Sequence, residues 1–201
     1  MSLPYLQFAY PNDDYKTFVQ FWRSMYRPNA ETLPLYLDNI DKQRFTRKDI
    51  GELYRWKNSR PYENNPNKRV SVERIQAELP MINRLKQQFV MRAFEETFAG
   101  ISPIWQIFLL HIIQPDVYPI FDQHVHRTHL FLVHQRIVAL PTYGKTKLDY
   151  YHVHYQPYFN EVRRRHKLDR FELDNALWTL GQFLKTRFAA AIVSPVEAGT
   201  S

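Results

Sequence analysis

Residues 98–127 have the sequence FAGISPIWQIFLLHIIQPDVYPIFDQHVHR, and this stretch has the clearest helical pattern in the chain. Gly100 lies between two apolar runs, as is typical of a tight turn between helices. Pro103 suits the first position of the following helix, where its missing N–H costs nothing. Apolar side chains then continue on nearly all sides as far as Ile113. We therefore expect this helix to be buried among other helices.

Asp122 is the predicted start of the next helix, over Gln123–His134. Aspartate is a favoured N-cap residue, because its carboxylate accepts hydrogen bonds from amides of the first helical turn. Thr46 and Asp49 have the approximate spacing of a capping box, at the start of a helix that we predict over Arg47–Asn58. These signals locate the beginnings of two helices from local sequence alone.

The rest of the chain also has helical periodicity, with only five glycines and little β-branched alternation. We therefore predict an all-α fold class and a single helical domain over residues 1–201. Pro28 and Pro34 are predicted to break the chain, and residues 60–69 to form a loop. The further helices that we expect cover about residues 13–27, 71–79 (capped by Ser71), 80–98, 148–167 (bent near Pro157) and 170–190.

The composition excludes several classes of site. The chain has no cysteine, so disulfides, cysteine zinc sites, iron–sulfur clusters and thiol nucleophiles are excluded. Residues 1–10 lack the pattern of a signal peptide, and no apolar run approaches the roughly 18 residues that span a bilayer. We therefore expect a cytoplasmic protein without a membrane partner.

Basic residues outnumber acidic ones by 27 to 20, which gives a net charge of +7. This sign favours a polyanionic partner such as nucleic acid, although ordinary solubility charge also accounts for it. Arg163, Arg164 and Arg165 form a basic run near a predicted helix end. These arginines either complement the helix dipole or contact phosphate.

The order of helix, hairpin, apolar helix and aspartate-capped helix resembles the helix-hairpin-helix DNA glycosylases, the superfamily of endonuclease III and the adenine-mismatch glycosylases. Val125 and Arg127 follow Asp122 at the offsets of that family's motif. The resemblance covers about residues 94–127 and, more weakly, residues 171–181. It implies a two-lobed helical domain, with the helix-hairpin-helix (about 92–113) at the lobe junction and the aspartate-bearing segment (118–134) in a cleft.

The resemblance also implies roles for individual residues. Asp122 would be the catalytic carboxylate, which stabilises positive charge on the sugar of a flipped-out nucleotide or activates water. Double-stranded DNA would be the partner, contacted by the hairpin residues Gly100, Ile101 and Ser102 and by Arg127. Trp105 and Lys57 are weaker candidates for a base pocket. Arg127 and Asp122 also have purely structural alternatives, as an ion-pair partner and as an N-cap.

Three departures from the family pattern limit the expected chemistry. Ser102 replaces the second hairpin glycine, and Pro103 removes one N–H donor. Ile104 occupies the position of the lysine in members that also cut the DNA backbone, and no lysine occurs between Lys86 and Lys145. Cluster cysteines are absent. We therefore predict a monofunctional glycosylase without strand-cutting activity and without a cofactor.

Two other classes of protein remain open at this point. One is a non-catalytic nucleic-acid-binding protein on the same scaffold, and the other is a helical protein–protein adaptor. His124, His126 and His129 do not place three ligands on one helix face, so no metal site is predicted.

Overall fold

The computed structural model describes residues 14–58, 61–137, 140 and 144–186, and within these ranges it contains helices and no strand. The predicted all-α fold class is confirmed. The helices are α1 (Tyr15–Ser24), α2 (Leu33–Leu37), α3 (Arg47–Asn58), α4 (Pro66–Ala77), α5 (Leu79–Gln87), α6 (Met91–Phe98), α7 (Pro103–Ile113), α8 (Gln123–His134), α9 (Gly144–Tyr150), α10 (Gln156–His166) and α11 (Arg170–Phe183), with a 3₁₀ turn at Tyr62–Asn64.

The chain forms two compact units. The hairpin unit comprises residues 27–118 and contains α2 to α7. The Asp122 unit comprises the described parts of residues 1–26 and 119–201, and contains α1 and α8 to α11. No helix in the described ranges is long and apolar enough to cross a membrane.

In the hairpin unit, α7 is the central helix. Every residue from Ile107 to Ile113 is buried, as the apolar pattern predicts. His111 is tolerated there because both of its ring nitrogens have partners. Its Nδ1 donates to the Tyr118 carbonyl at 2.8 Å, and its Nε2 accepts from the Tyr36 hydroxyl at 2.8 Å.

The predicted helix α3 is confirmed at both ends, and its capping box is formed. The Thr46 amide donates to Asp49 Oδ2 at 2.7 Å, and the Asp49 amide donates to Thr46 Oγ1 at 3.3 Å. The two residues thus satisfy each other's backbone donors at the start of the helix.

The predicted loop over residues 60–69 is too long, because residues 66–69 already belong to α4, and the predicted cap at Ser71 is wrong. Asn65 caps α4 by accepting from the Lys68 amide at 3.1 Å, and Pro66 occupies the first turn of that helix. Ser71 lies inside the helix, where its hydroxyl donates to the Asn67 carbonyl at 2.8 Å. An Asn-Pro pair is typical of a loop and also of a helix start, and in this chain it starts α4.

The single helix predicted over residues 80–98 is also wrong, because the chain forms α5 and α6 with a break between them. Gln88 and Val90 have extended backbones at the break. Phe89 packs against Phe94 and Tyr118, with ring centroids 6.4 and 5.4 Å apart. This tertiary packing overrides a helical pattern that looked continuous.

Two proline predictions need correction. Pro34 does not break the chain, because it lies in the first turn of α2, where a missing N–H is tolerated. The helix predicted over residues 148–167 begins already at Gly144, and its irregularity is a π-helical turn over Tyr151–Tyr155, just before Pro157. A widened turn at this point relieves the clash between the proline ring and the carbonyl four residues earlier.

In the Asp122 unit, α11 packs against α1 and α8. The indole of Trp22 lies 5.6 Å from the Phe183 ring, and Arg23 forms an ion pair with Glu172 at 2.6 Å. The helix predicted over residues 170–190 is seen from Arg170 to Phe183, and the predicted part after residue 186 lies outside the described residues.

Candidate functional site

Asp122 caps α8, as predicted. Its Oδ1 accepts hydrogen bonds from the amides of His124 and Val125, at 2.7 and 3.2 Å. Within the described part of the chain, no hydrogen bond reaches Oδ2. The side chain is half-buried. One carboxylate oxygen therefore fixes the orientation of the group, while the other is available to a ligand.

Arg127 joins α8 to the end of α11. Its Nη1 donates to the Gly181 carbonyl at 2.8 Å and to His124 Nδ1 at 3.3 Å. The Gly181 carbonyl belongs to the last turn of α11, where carbonyls lack partners within the helix and a cation is favourable. This position favours the structural alternative for Arg127, although its partner is a carbonyl rather than the expected carboxylate.

Gly181 lets α8 and α11 approach closely. A Cβ at this position would lie 2.2 Å from the His124 carbonyl oxygen and 2.8 Å from His124 Cα. The contact continues at Thr128, whose hydroxyl donates to the Leu177 carbonyl at 2.6 Å. The backbone beside Asp122 is therefore held by a glycine-dependent packing contact.

Histidines and tyrosines form a cluster close to Asp122 in sequence and structure. His126 and His129 of α8 and Tyr155 of the π-helical turn are buried, and Tyr150 at the end of α9 is half-buried. His129 Nδ1 is hydrogen-bonded to the Tyr150 hydroxyl, and the rings of His126 and Tyr150 lie 4.6 Å apart. Among the described residues, His126 Nδ1 and the Tyr155 hydroxyl have no hydrogen-bond partner. Unpartnered buried polar atoms are uncommon and costly.

The histidines of this cluster are neutral at pH 7. Burial lowers the pKa of His126 to about 4, and the nearby Arg127 charge acts in the same direction. Burial also lowers the pKa of His129 to about 4, with smaller contributions from other histidines, His126 first among them. The pKa of His124 is lowered by burial as well, although Asp122 opposes that shift.

These pKa values predict acid sensitivity. The folded-state pKa of His126 and His129, about 4, lies below the ordinary 6.5, so the unfolded chain binds more protons between these two pH values. The free energy of unfolding therefore falls as pH drops through that window. We expect a loss of about 1–2 kcal/mol for each histidine between pH 7 and pH 5, measured by urea unfolding.

His126→Leu is the matched test, because it removes a titrating ring whose Nδ1 has no partner among the described residues. It should reduce the pH dependence of the unfolding free energy. His134→Gln, at an exposed position that makes only a small charge contribution to the pKa of His129, should change that dependence much less. An unfolding free energy that is the same at both pH values would contradict the assignment.

The hairpin residues Gly100, Ile101 and Ser102 lie in the other unit, between α6 and α7. No described glycine has a positive φ, and a Cβ at Gly100 would meet nothing within 4 Å, so this turn does not require glycine. Ser102 has φ −61, so serine is unstrained there. The Ile101 amide donates to the Phe98 carbonyl at 3.0 Å and is thus already engaged. Gly100 and Ser102 are exposed, although the Ser102 carbonyl already accepts from the amides of Trp105 and Gln106, both at 2.9 Å.

Trp105 and Lys57 contact the same aromatic group of the hairpin unit. Trp105 is buried, its ring lies 4.8 Å from that of Tyr54, and its carbonyl accepts from the Tyr54 hydroxyl at 3.0 Å. The Lys57 ammonium lies 5.6 Å from the centroid of Phe108, whose ring is 5.2 Å from Tyr54. Both side chains therefore have structural partners in the core.

The basic run lies at the C-terminal end of α10, as predicted. Arg164 forms a two-pronged ion pair with Glu161, with contacts of 2.8 to 3.1 Å. Arg163 and Arg165 belong to the same last turn, where cations complement the helix dipole.

The histidine–tyrosine cluster is not predicted from the sequence, where the spacing of His126 and His129 bears only on a metal site. In the described ranges, no three side chains of histidine, aspartate or glutamate converge as a metal site would require. The histidines of α8 contact tyrosines of residues 150–155. No local sequence pattern indicates that these two segments are in contact.

Comparisons with known proteins do not add a family assignment. No protein-family profile, curated protein or solved structure matches this chain.

Proposed function

We propose that the chain is a DNA-binding protein that acts like a base-excision glycosylase, with Asp122 as its catalytic carboxylate. The observation that carries the proposal is the state of that carboxylate. Two amides hold Oδ1, and Oδ2 has no hydrogen-bond partner in the described part of the chain. A fixed, half-buried carboxylate with one available oxygen can stabilise positive charge without reorganising during the reaction.

The proposed step is hydrolysis of an N-glycosidic bond. The bond between the sugar C1′ and the base nitrogen breaks, and its electron pair leaves with the base. The Asp122 carboxylate stabilises the oxocarbenium ion that forms on the sugar. Water adds to C1′, and its proton neutralises the departing base, so the products are a free base and an abasic site.

The proposal excludes cleavage of the DNA strand by the protein itself. Strand cutting in this superfamily needs an amine that forms a Schiff base with the sugar. Ile104 lies at that position, and Lys57, a weaker candidate for the base pocket, has its ammonium 5.6 Å from the centroid of the Phe108 ring.

The test is excision from duplex oligonucleotides that each carry one lesion: 8-oxoguanine, 3-methyladenine, uracil or mismatched adenine. We expect strand breaks with at least one substrate, and only after hot alkali has cleaved the abasic product. Breaks without alkali would contradict the monofunctional proposal. No breaks with any substrate would count against catalysis.

A non-catalytic DNA-binding protein is the second candidate, and one observation favours it. Asp169 caps α11 with the same pattern, accepting from the amides of Phe171 and Glu172 at 2.9 and 3.0 Å. Asp122 therefore has a structural role that needs no catalysis. Duplex binding that weakens steeply with salt, without excision, would support this candidate. A protein–protein adaptor would bind duplex DNA only weakly.

A further inference from the structure

A groove with a cationic lining lies in the hairpin unit, between α5 and the segment that leads into α3. Its volume is about 740 Å³, and its lining includes the exposed side chains of Arg44, Arg47 and Arg84. None of these arginines belongs to the motif on which the proposed function depends. The groove is therefore a separate feature of the surface.

The three guanidinium groups are available to a ligand. Within the described ranges, none of them makes a side-chain hydrogen bond or an ion pair. Other surface arginines differ in this respect, since Arg55 and Arg92 pair with Glu63 and Glu96 at 2.5 and 2.7 Å. Three adjacent cations without an anion repel one another, and a bound anion would relieve that repulsion.

The acidic residue nearest to Arg47 in sequence, Asp49, does not neutralise the groove. Asp49 is 6% exposed, and its carboxylate accepts from Lys42 at 2.7 Å and from the Thr46 amide at 2.7 Å. Burial opposes ionisation of Asp49, but these hydrogen bonds outweigh it, and the pKa of the carboxyl lies below its ordinary value. Its charge is thus already compensated by Lys42 rather than by an arginine of the groove.

The groove is also held in shape before any ligand binds. The side-chain amide of Asn83 forms two hydrogen bonds with the backbone of Phe45. Its Oδ1 accepts from the Phe45 amide at 2.7 Å, and its Nδ2 donates to the Phe45 carbonyl at 3.0 Å. The Lys86 ammonium lies 4.4 Å from the centroid of the Phe45 ring. Phe45 directly follows Arg44, and Asn83 belongs to α5, which also carries Arg84. These hydrogen bonds therefore fix the segment that carries Arg44 against α5. Preorganised donors lose little entropy on binding.

We propose that this groove binds the phosphodiester backbone of double-stranded DNA. Guanidinium groups match phosphate oxygens in a two-pronged geometry, and several of them along an open groove suit a chain of phosphates. Phosphate contacts carry no base information, so the contact is independent of base sequence. Phe45 is 2% exposed and offers no face on which a base could stack. The choice of DNA over other polyanions rests on the proposed function, whereas the anion site itself does not.

The test compares two triple variants of the full chain with the same net charge. The groove variant is Arg44→Gln/Arg47→Gln/Arg84→Gln. The control variant is Arg69→Gln/Arg74→Gln/Arg92→Gln, which removes three exposed arginines of the same unit outside the groove. Binding is measured by fluorescence anisotropy with a labelled duplex of about 20 base pairs, over a salt series. Thermal unfolding of each variant verifies that the fold is retained.

We expect the groove variant to lose affinity by about tenfold or more, and the slope of log K against log salt to become shallower by about 2 to 3. The control variant should lose less than about threefold, with little change in slope. A third variant, with lysine at the three groove positions, should bind between wild type and the glutamine variant, because it keeps charge and loses two-pronged geometry.

Equal losses in the two glutamine variants would overturn the proposal, because they would show that only overall charge matters. Tighter binding of single-stranded RNA or of an acidic polypeptide to the groove would overturn the choice of duplex DNA. These outcomes are separate from the proposed chemistry. Groove-dependent DNA binding without excision of any lesion would leave this proposal standing and count against catalysis at Asp122.

Discussion

Gly181→Ala should destabilise the Asp122 unit by about 2–3 kcal/mol, which corresponds to a fall of about 5–10 °C in the unfolding temperature. The added Cβ would lie 2.2 Å from the oxygen and 2.5 Å from the carbon of the His124 carbonyl. These are backbone atoms, so no side-chain rotation can relieve the clash. The helices α8 and α11 would have to move apart, which would strain the bonds from Arg127 and Thr128 to α11.

Gly100→Ala is the matched control for that experiment. Nothing lies within 4 Å of a Cβ at Gly100, and the backbone there does not have a positive φ. Alanine should therefore leave stability unchanged or raise it by up to about 1 kcal/mol, because it restricts the unfolded chain. Thermal unfolding followed by circular dichroism measures both variants. If Gly181→Ala unfolds at the same temperature as Gly100→Ala, the close packing of α8 and α11 is wrong.

Asp122→Asn should reduce the excision rate by about 100-fold or more, without a comparable loss of stability. Asparagine retains an oxygen that can accept the amide hydrogen bonds of the N-cap, so α8 keeps its start. It lacks the negative charge that stabilises an oxocarbenium ion. Asp169→Asn changes a second N-cap aspartate that accepts from two amides in the same way, and it should leave the excision rate unchanged.

Local signals were enough to predict where three of the helices begin. The starts of α3, α7 and α8 follow from a capping box, from a proline in a first turn and from an aspartate N-cap. Each of these signals acts within about one turn of the helix end, so the sequence carries the information directly. The position of Asp122 at a helix start was predictable for the same reason.

The break between α5 and α6 could not be predicted in this way. The helical pattern continues across residues 88–90, and the break is associated with packing of Phe89 on Tyr118, which lies far along the chain. The start of α4 is a different case, since Asn65 and Pro66 carried the signal and the neighbouring asparagines and proline obscured it. An Asn-Pro dipeptide is compatible with a loop or with the start of a helix, and the rest of the fold determines which of the two forms.

The most informative features of the surface and core were invisible in the sequence. Gly181 lies within a predicted helix, where glycine lowers helix stability and has no evident purpose. The close approach of the His124 backbone gives the reason for a glycine at this position. Arg84 lies far from Arg44 and Arg47 in the chain, so their common groove depends on the tertiary fold. The burial that keeps His126 and His129 neutral depends equally on distant tyrosines.

The central claim is that Asp122 supplies chemistry and not only a helix cap. The most direct measurement is the single-turnover rate of alkali-dependent strand breakage on the preferred lesion duplex, for wild type, Asp122→Asn and Asp169→Asn at equal protein concentration. The account predicts a rate lower by about 100-fold or more in Asp122→Asn alone, with duplex binding retained. Equal rates in all three proteins, or equal losses in both variants, would contradict it.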